Sequence, residues 1–255
     1  MPTPDSIATF LLKGVNRAVR EFELIGAGDR VAVGVSGGKD SRTLLDLLVR
    51  GIDIPGRYEV IAVHIDGSGV GLPDQVGMLE PWFSILGVPF EIARLEVAES
   101  EKLPLSCFRC SWNRRKALFL AADRLGCNKV ALGHHADDAA VTTLMSLMYK
   151  GQLETLEPSR QYFDGRVHLI RPLIFLGESA IRRYARACGW TFSPEPGCPR
   201  GANSRRVKIE AFLTTLPQRE REQIRTNLWR AAQMARSVGA LQRTNPGDTR
   251  TSWAD

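Results

Sequence analysis

The chain has 255 residues, 44% of them hydrophobic, which is enough to bury a substantial core and predicts one α/β domain with a small appendage. The formal net charge of +6 sits at one end, since residues 200–255 hold 11 Lys/Arg against 5 Asp/Glu while the rest of the chain balances. Five cysteines make an odd set, which argues against a disulfide framework and turns attention to metal or redox chemistry.

The apolar positions Ile7, Phe10, Leu11, Val15, Val19 and Phe22 recur at three- and four-residue intervals and predict an amphipathic helix over residues 5–25. Its apolar start is too short and wrongly flanked for a signal peptide, and no run approaches the length of a membrane span, so a cytoplasmic chain without membrane association is expected. Gly26, Gly28 and Asp29 end the helix and launch a buried strand, Val31 to Val35. The strand stops at Ser36-Gly37-Gly38-Lys39-Asp40-Ser41, and a helical pattern follows through Leu44, Leu45, Leu47 and Leu48. Glycines at such a turn let the backbone approach a ligand, and the N–H groups of the first helical turn form an anion site suited to phosphate. The string departs from the Walker-type and dinucleotide fingerprints, so neither site is indicated.

A second strand is predicted from Tyr58 to Ile65, ending at Asp66 before a glycine-rich loop. A helix over residues 73–86 and a short strand over 89–95 come next. Strands alternating with helices imply a parallel sheet with right-handed crossovers, where ligands bind beyond the carboxyl ends of the strands. Residues 98–106 read as a loop that delivers Cys107-Phe108-Arg109-Cys110, and a helix is expected from Ser111 to Leu125. The strand over 128–132 stops at Gly133-His134-His135-Ala136-Asp137-Asp138, again ahead of a helix. Residues 152–167 are polar and loop-like, 168–173 predict a short strand, and 178–187 a helix. The segment Ser193 to Pro199 is too rich in proline for regular structure, two basic helices follow, and residues 244–255 read as a frayed tail.

Three strand ends therefore carry polar groups. Carboxylates at a helix start often serve only as caps, but beside a phosphate loop Asp137-Asp138 are also suited to anchor Mg²⁺, which takes one or two carboxylates plus phosphate oxygens. His134 fits either the site or an ordinary satisfied position under the sheet edge. The CxxC of Cys107 and Cys110 suits zinc, an iron–sulfur cluster or a redox pair. Cys198, between Gly197 and Pro199, is the one further cysteine in a special setting, whereas Cys127 and Cys188 read as half-buried helix-end residues. Three thiolates leave one iron of a [4Fe–4S] cluster open, and spacing alone does not choose between iron–sulfur and zinc.

The string Ser36 to Ser41 resembles the PP-loop of the ATP pyrophosphatase superfamily, in which ATP is cleaved between its α- and β-phosphates and the substrate is adenylated. The wider chain resembles the tRNA 2-thiocytidine synthetase (TtcA) family in Val15-Asn16-Arg17-Ala18, Glu21-Phe22, Gly28-Asp29-Arg30-Val31, the PP-loop with Thr43-Leu44-Leu45-Asp46, and the CxxC with Arg114-Arg115. The match continues through Ala131-Leu132-Gly133-His134-His135, Asp137-Asp138, Ile170-Arg171-Pro172-Leu173 and Cys198. This resemblance implies an α/β, Rossmann-like PP-loop fold, with a parallel sheet flanked by helices. The implied division is an N-terminal helix over 1–28, a PP-loop domain with cluster-binding loops over 29–199, and a basic helical segment over 200–255. It implies ATP bound by Ser36, Gly37, Gly38, Lys39, Asp40 and Ser41 with Asp66, Gly133 and His134, and Mg²⁺ near Asp40. It also implies a [4Fe–4S] cluster on Cys107, Cys110 and Cys198, and Asp138 and Asp40 as catalytic groups. Arg114 stands where related enzymes place a catalytic lysine; arginine stays protonated and suits a phosphate clamp instead. Arg205, Arg206 and Lys208 are the expected RNA contacts, with tRNA, a cysteine desulfurase or other sulfur donor, and a second copy of the chain as partners. Adenylation of C2 of an anticodon-loop cytidine, then sulfur transfer, is the expected reaction. The alternatives are the same chemistry on another tRNA base or a free heterocycle, a cluster-free enzyme of lysidine-synthetase type, or a zinc-stabilised RNA-binding protein with a vestigial nucleotide site.

Overall fold

The computed structural model describes residues 2–191 and 204–242. Its first helix, α1 (Pro4–Phe22), starts where Thr3 Oγ1 accepts from the Ser6 N–H at 3.3 Å and stops at Glu23, whose φ of 49° is left-handed. The chain then alternates: β1 (Arg30–Gly34), α2 (Lys39–Arg50), β2 (Glu59–Asp66), α3 (Val76–Leu86), β3 (Phe90–Arg94), α4 (Cys107–Arg124), β4 (Lys129–Ala131) and α5 (Ala136–Lys150). A hairpin of β5 (Ser159–Tyr162) and β6 (Val167–Ile170) follows, then α6 (Glu178–Ala187), α7 (Arg205–Thr214) and α8 (Gln218–Gln242).

The six strands lie in the order β3-β2-β1-β4-β6-β5, all parallel except the β5–β6 pair. Strand order therefore reverses between β1 and β4, whose carboxyl ends carry the Ser36–Ser41 loop and the Gly133–Asp138 string. This is where an open parallel sheet leaves a crevice for a ligand. On one face of the sheet, Leu11 and Val15 of α1, Leu44 and Leu48 of α2, Leu79 and Phe83 of α3, and Ile181 and Tyr184 of α6 form one core with Val31 and Val33. On the other face, Leu118, Phe119 and Ala122 of α4 pack with Ala32, Val63 and Val130. Alternate β1 residues point to opposite faces, as the period of a strand requires. At the amino ends of the strands, Asp29 accepts from Asn128 Nδ2 at 2.6 Å, and the Arg30 N–H donates to Asn128 Oδ1 at 2.9 Å. These bonds pin β1 beside β4 at the end opposite the crevice.

Two elements differ from the sequence expectation. Residues 159–162 form an edge strand rather than loop, because pairing with β6 across a turn with positive φ at Phe163, Asp164 and Gly165 outweighs their polar composition. Helix α4 begins at Cys107 rather than Ser111, since Ser106 serves as its N-cap and accepts from the Arg109 N–H at 3.2 Å. Among the described residues, no helix is long and apolar enough to cross a membrane.

Candidate functional site

The floor of the crevice is the turn from β1 into α2. Gly37 takes a φ of +86°, and Gly38 is the N-cap of α2 with no side chain bonded to the helix start. Ser41 Oγ folds back to accept from the Ser36 N–H at 3.1 Å, lies 3.2 Å from Ser36 Oγ, and donates to the Gly38 carbonyl at 3.2 Å. The turn is thus braced from inside while the first helical N–H groups stay available to an anion. A Cβ on Gly133 would stand 2.8 Å from the Ser41 nitrogen and 2.9 Å from the Asp40 carbonyl carbon. Gly133 is therefore the residue that lets the β4 loop close onto the start of α2.

Lys39 lies mostly covered, with Nζ 3.1 Å from Asp40 Oδ2 and 3.0 Å from Glu178 Oε1 on α6. Burial alone lowers its affinity for a proton, but Asp40 and Glu178 outweigh it and raise the pKa, so the ammonium is secured. Asp40 Oδ1, on the other side, is buried without a hydrogen-bond partner. An orphaned carboxylate oxygen beside an uncapped helix start is the hard oxygen donor that Mg²⁺ takes, so the residues present fit that ion.

His135 is buried between three carboxylates: Nε2 is 3.6 Å from Asp40 Oδ1 and 3.3 Å from Asp138 Oδ2, and Nδ1 is 3.7 Å from Asp137 Oδ2. Asp138 Oδ2 also accepts from the His135 N–H at 2.9 Å, and Oδ1 accepts from Arg206 of α7. Burial pushes the Asp138 pKa up, yet His135, His134 and Arg206 together hold it below the usual carboxylate range. His134 is pushed down to about 4, first by burial and then by the cations Arg171 and Arg206, against the pull of Asp138. It is neutral near pH 7, and its Nδ1 accepts from Arg171 Nε at 3.3 Å. Asp137, in contrast, is occupied structurally: it accepts from the Glu178 N–H at 2.7 Å, capping α6 from outside, and pairs with Arg225 at 3.2 Å.

The structure thus brings Ser36, Lys39, Asp40, Ser41, Gly133, His134 and Asp138 around one crevice. Asp66 stands at the neighbouring strand end, but its carboxylate accepts from the Ser68 N–H at 2.9 Å, which holds its pKa down. Arg114, on α4, is half-buried, and its charge reaches His64, whose Nδ1 lies 2.7 Å from the Val35 carbonyl just before the loop. Cys107 and Cys110 occupy the first turn of α4, three residues apart on one helix face, the first exposed and the second partly covered, with neither in a disulfide. Glu101 holds that turn by accepting from Arg109 and, at 3.0 Å, from Asn113 Nδ2. Paired thiols at a helix start suit a soft metal centre, but Cys198 lies outside the described residues, and among the described residues no three His, Cys, Asp or Glu side chains are grouped to hold a metal. Cys127 packs into the α4 core, and Cys188 is half-buried beside Tyr184, with both thiols pushed up by burial. Of the expected RNA contacts, Arg206 is engaged by Asp138 and Glu210, Arg205 lies over the Tyr149 ring at 4.4 Å, and Lys208 is exposed.

Sequence reasoning passed over His135, Arg171 and Glu178. His135 and Arg171 lie in stretches that carry the family resemblance, without a role assigned there, but Glu178 is 139 positions from Lys39 and only folding reveals the pair.

The PP-loop domain family matches residues 12–198 of this chain. A tRNA-cytidine(32) 2-sulfurtransferase of Anaeromyxobacter sp. (strain Fw109-5) is 38% identical over 230 residues, covering 87% of this chain and 74% of that protein. The protein of the same name from Mannheimia succiniciproducens is 35% identical, covering 85% and 70%. Among solved structures, the U34-tRNA thiolase NcsA from Methanococcus maripaludis with its [4Fe-4S] cluster superposes with a TM-score of 0.68 at 22% identity, over 89% of this chain and 80% of that one.

Proposed function

The chain belongs to the PP-loop family and, within it, to the tRNA-cytidine(32) 2-sulfurtransferases, and from that membership we propose that it replaces the C2 oxygen of cytidine 32 in tRNA with sulfur at the expense of ATP. The observation that carries the reading is the crevice at the β1/β4 reversal, where an uncapped helix start meets Lys39, Asp40 and Asp138 in a chain similar to those enzymes along most of its length.

In the proposed reaction the cytidine C2 oxygen attacks the α-phosphorus, the α–β bond breaks and pyrophosphate leaves. A sulfide equivalent then forms a bond to C2, the C2–O bond breaks, and AMP departs with the oxygen, so nothing is oxidised or reduced overall. The α2 N–H groups and the secured Lys39 ammonium stabilise charge gathering on pyrophosphate, the largest contribution expected of such donors. Asp40 would hold Mg²⁺, which when bound would neutralise further charge there. Asp138, kept ionised, suits the exocyclic amine of cytidine, which donates to carboxylates. Arg114 suits a phosphate on the far side of the loop. Neutral His134 orients Arg171 and adds no charge to the pocket.

Cys107, Cys110 and Cys198 are the proposed ligands of a [4Fe–4S] cluster. Bound there, the cluster supplies soft iron for handling sulfur. The role of the chain in this part is to present the first two thiols on a rigid, capped helix start. Anaerobically purified protein is expected to contain iron and acid-labile sulfide and to absorb broadly in the visible, with both lost in Cys107→Ser and in Cys198→Ala. Stoichiometric zinc with no iron would overturn the cluster assignment while leaving the ATP half of the proposal standing.

A further inference from the structure

Helix α6 buries Ile181, Tyr184 and Ala185 against the main core, so Arg182, Arg183 and Arg186 point the other way. They do not face open solvent alone. The start of α8 presents Arg221 and Arg225 to the same groove of about 880 Å³, which Pro2, Pro4 and Ile7 at the start of the chain and Thr214 of α7 also line. Two of these five cations are already matched, Arg182 to Glu178 at 2.5 Å and Arg225 to Asp137 at 3.2 Å. The other three have no carboxylate partner among the described residues, and the Nε of Arg221 is buried with nothing to donate to. Glu222, also on the groove, accepts from Gln218 Nε2 at 3.0 Å. A buried donor without an acceptor costs stability, so an unmatched guanidinium in a cleft marks a place for an external acceptor.

Position strengthens the case. The inner wall of the groove is Asp137 and Glu178, the residues that touch His135 and Lys39 of the crevice. Arg182 and Arg186 stand one helical turn apart, and guanidinium forks match phosphate oxygens bidentately. A run of such cations leading away from an active crevice suits a chain of phosphates better than a single small anion.

We infer that the α6–α8 groove is a binding track for the sugar–phosphate backbone of the substrate RNA, with Arg183, Arg186 and Arg221 as its phosphate contacts. The inference rests on the proposed tRNA reaction. It adds a surface half of which comes from α6, outside the basic C-terminal segment.

The test is the binding of unmodified tRNA over a series of KCl concentrations, with the wild type and with Arg183→Gln/Arg186→Gln/Arg221→Gln. The triple variant should bind about 10- to 1,000-fold more weakly near physiological salt, with a log–log salt slope shallower by about two, while its ATP affinity is unchanged. A companion Arg183→Lys/Arg186→Lys/Arg221→Lys protein keeps the charges and should keep the slope, which separates lost phosphate contacts from a damaged fold. If the wild type binds and thiolates tRNA but the Gln variant matches its affinity and slope, the groove inference fails and the proposed function stands. A Lys variant with the shallow slope of the Gln variant also overturns the inference. If the wild type neither binds nor thiolates tRNA, the proposed function itself falls.

Discussion

At the scale of single residues, the paired histidines divide labour that their adjacency in the string conceals. His135 sits among the carboxylates of Asp40, Asp137 and Asp138, while His134 faces Arg171 and is held neutral. The string Gly133 to Asp138 was readable as a site element, but not which histidine does what, because the deciding neighbours come from residues 40, 171 and 206. The His134 shift has a definite sign. Its folded pKa of about 4 lies below the ordinary value of 6.5, so on acidification the unfolded chain takes the proton first and stability is lost as pH falls from about 6.5 to 4. The size is on the order of 3 kcal/mol. His134→Gln should flatten the melting temperature against pH between those limits, and an unchanged profile in that window would contradict the assignment. Gly133 makes a sharper demand, since any Cβ meets backbone of α2. Gly133→Ala should cost about 1–3 kcal/mol and weaken ATP binding, measured by denaturant titration and nucleotide binding. Gly69→Ala, at a site with open space, should do neither.

At the scale of elements, the start of α4 decides how the CxxC is presented. Reading the helix from Ser111 leaves both cysteines at the loop-to-helix junction, just ahead of the helix. The cap at Ser106 places them inside the first turn, a boundary that the apolar pattern could not mark because that turn is exposed. Ser106→Ala should cost about 1 kcal/mol and lower iron retention, whereas Ser84→Ala, on α3, should leave iron content unchanged. The hairpin strand β5 was hidden for a related reason: an edge strand needs few apolar residues, and Ser159-Arg160-Gln161-Tyr162 carries almost none. Helix α6 was legible in full, but its outside cap was not. Asp137→Asn should lose about 1 kcal/mol through the weakened Glu178 N–H bond and Arg225 pair, read as a lowered denaturation midpoint.

At the scale of the molecule, alternating strands and helices were enough to foresee a parallel sheet with its ligands beyond the strand ends. Alternation could not reveal the order β3-β2-β1-β4-β6-β5, which alone puts Ser36 and Gly133 side by side. Nor could it show that α8 returns to the first helix, where Phe22, Phe175 and Trp229 form a cluster with ring centroids 5.5–6.2 Å apart. Trp229→Ala should destabilise the protein by about 2–3 kcal/mol, and a melting temperature equal to wild type would show that α8 is not held there. The central claim joins the two halves of the proposed reaction, in which ATP activates a cytidine so that sulfur can replace its oxygen. The most direct test supplies anaerobic protein with unmodified tRNA, ATP and sulfide, then counts AMP, pyrophosphate and thiolated nucleoside by mass spectrometry. The expected result is one AMP and one pyrophosphate for each 2-thiocytidine, with no product from Asp40→Ala. Thiolation without AMP, or release of ADP in its place, would contradict it.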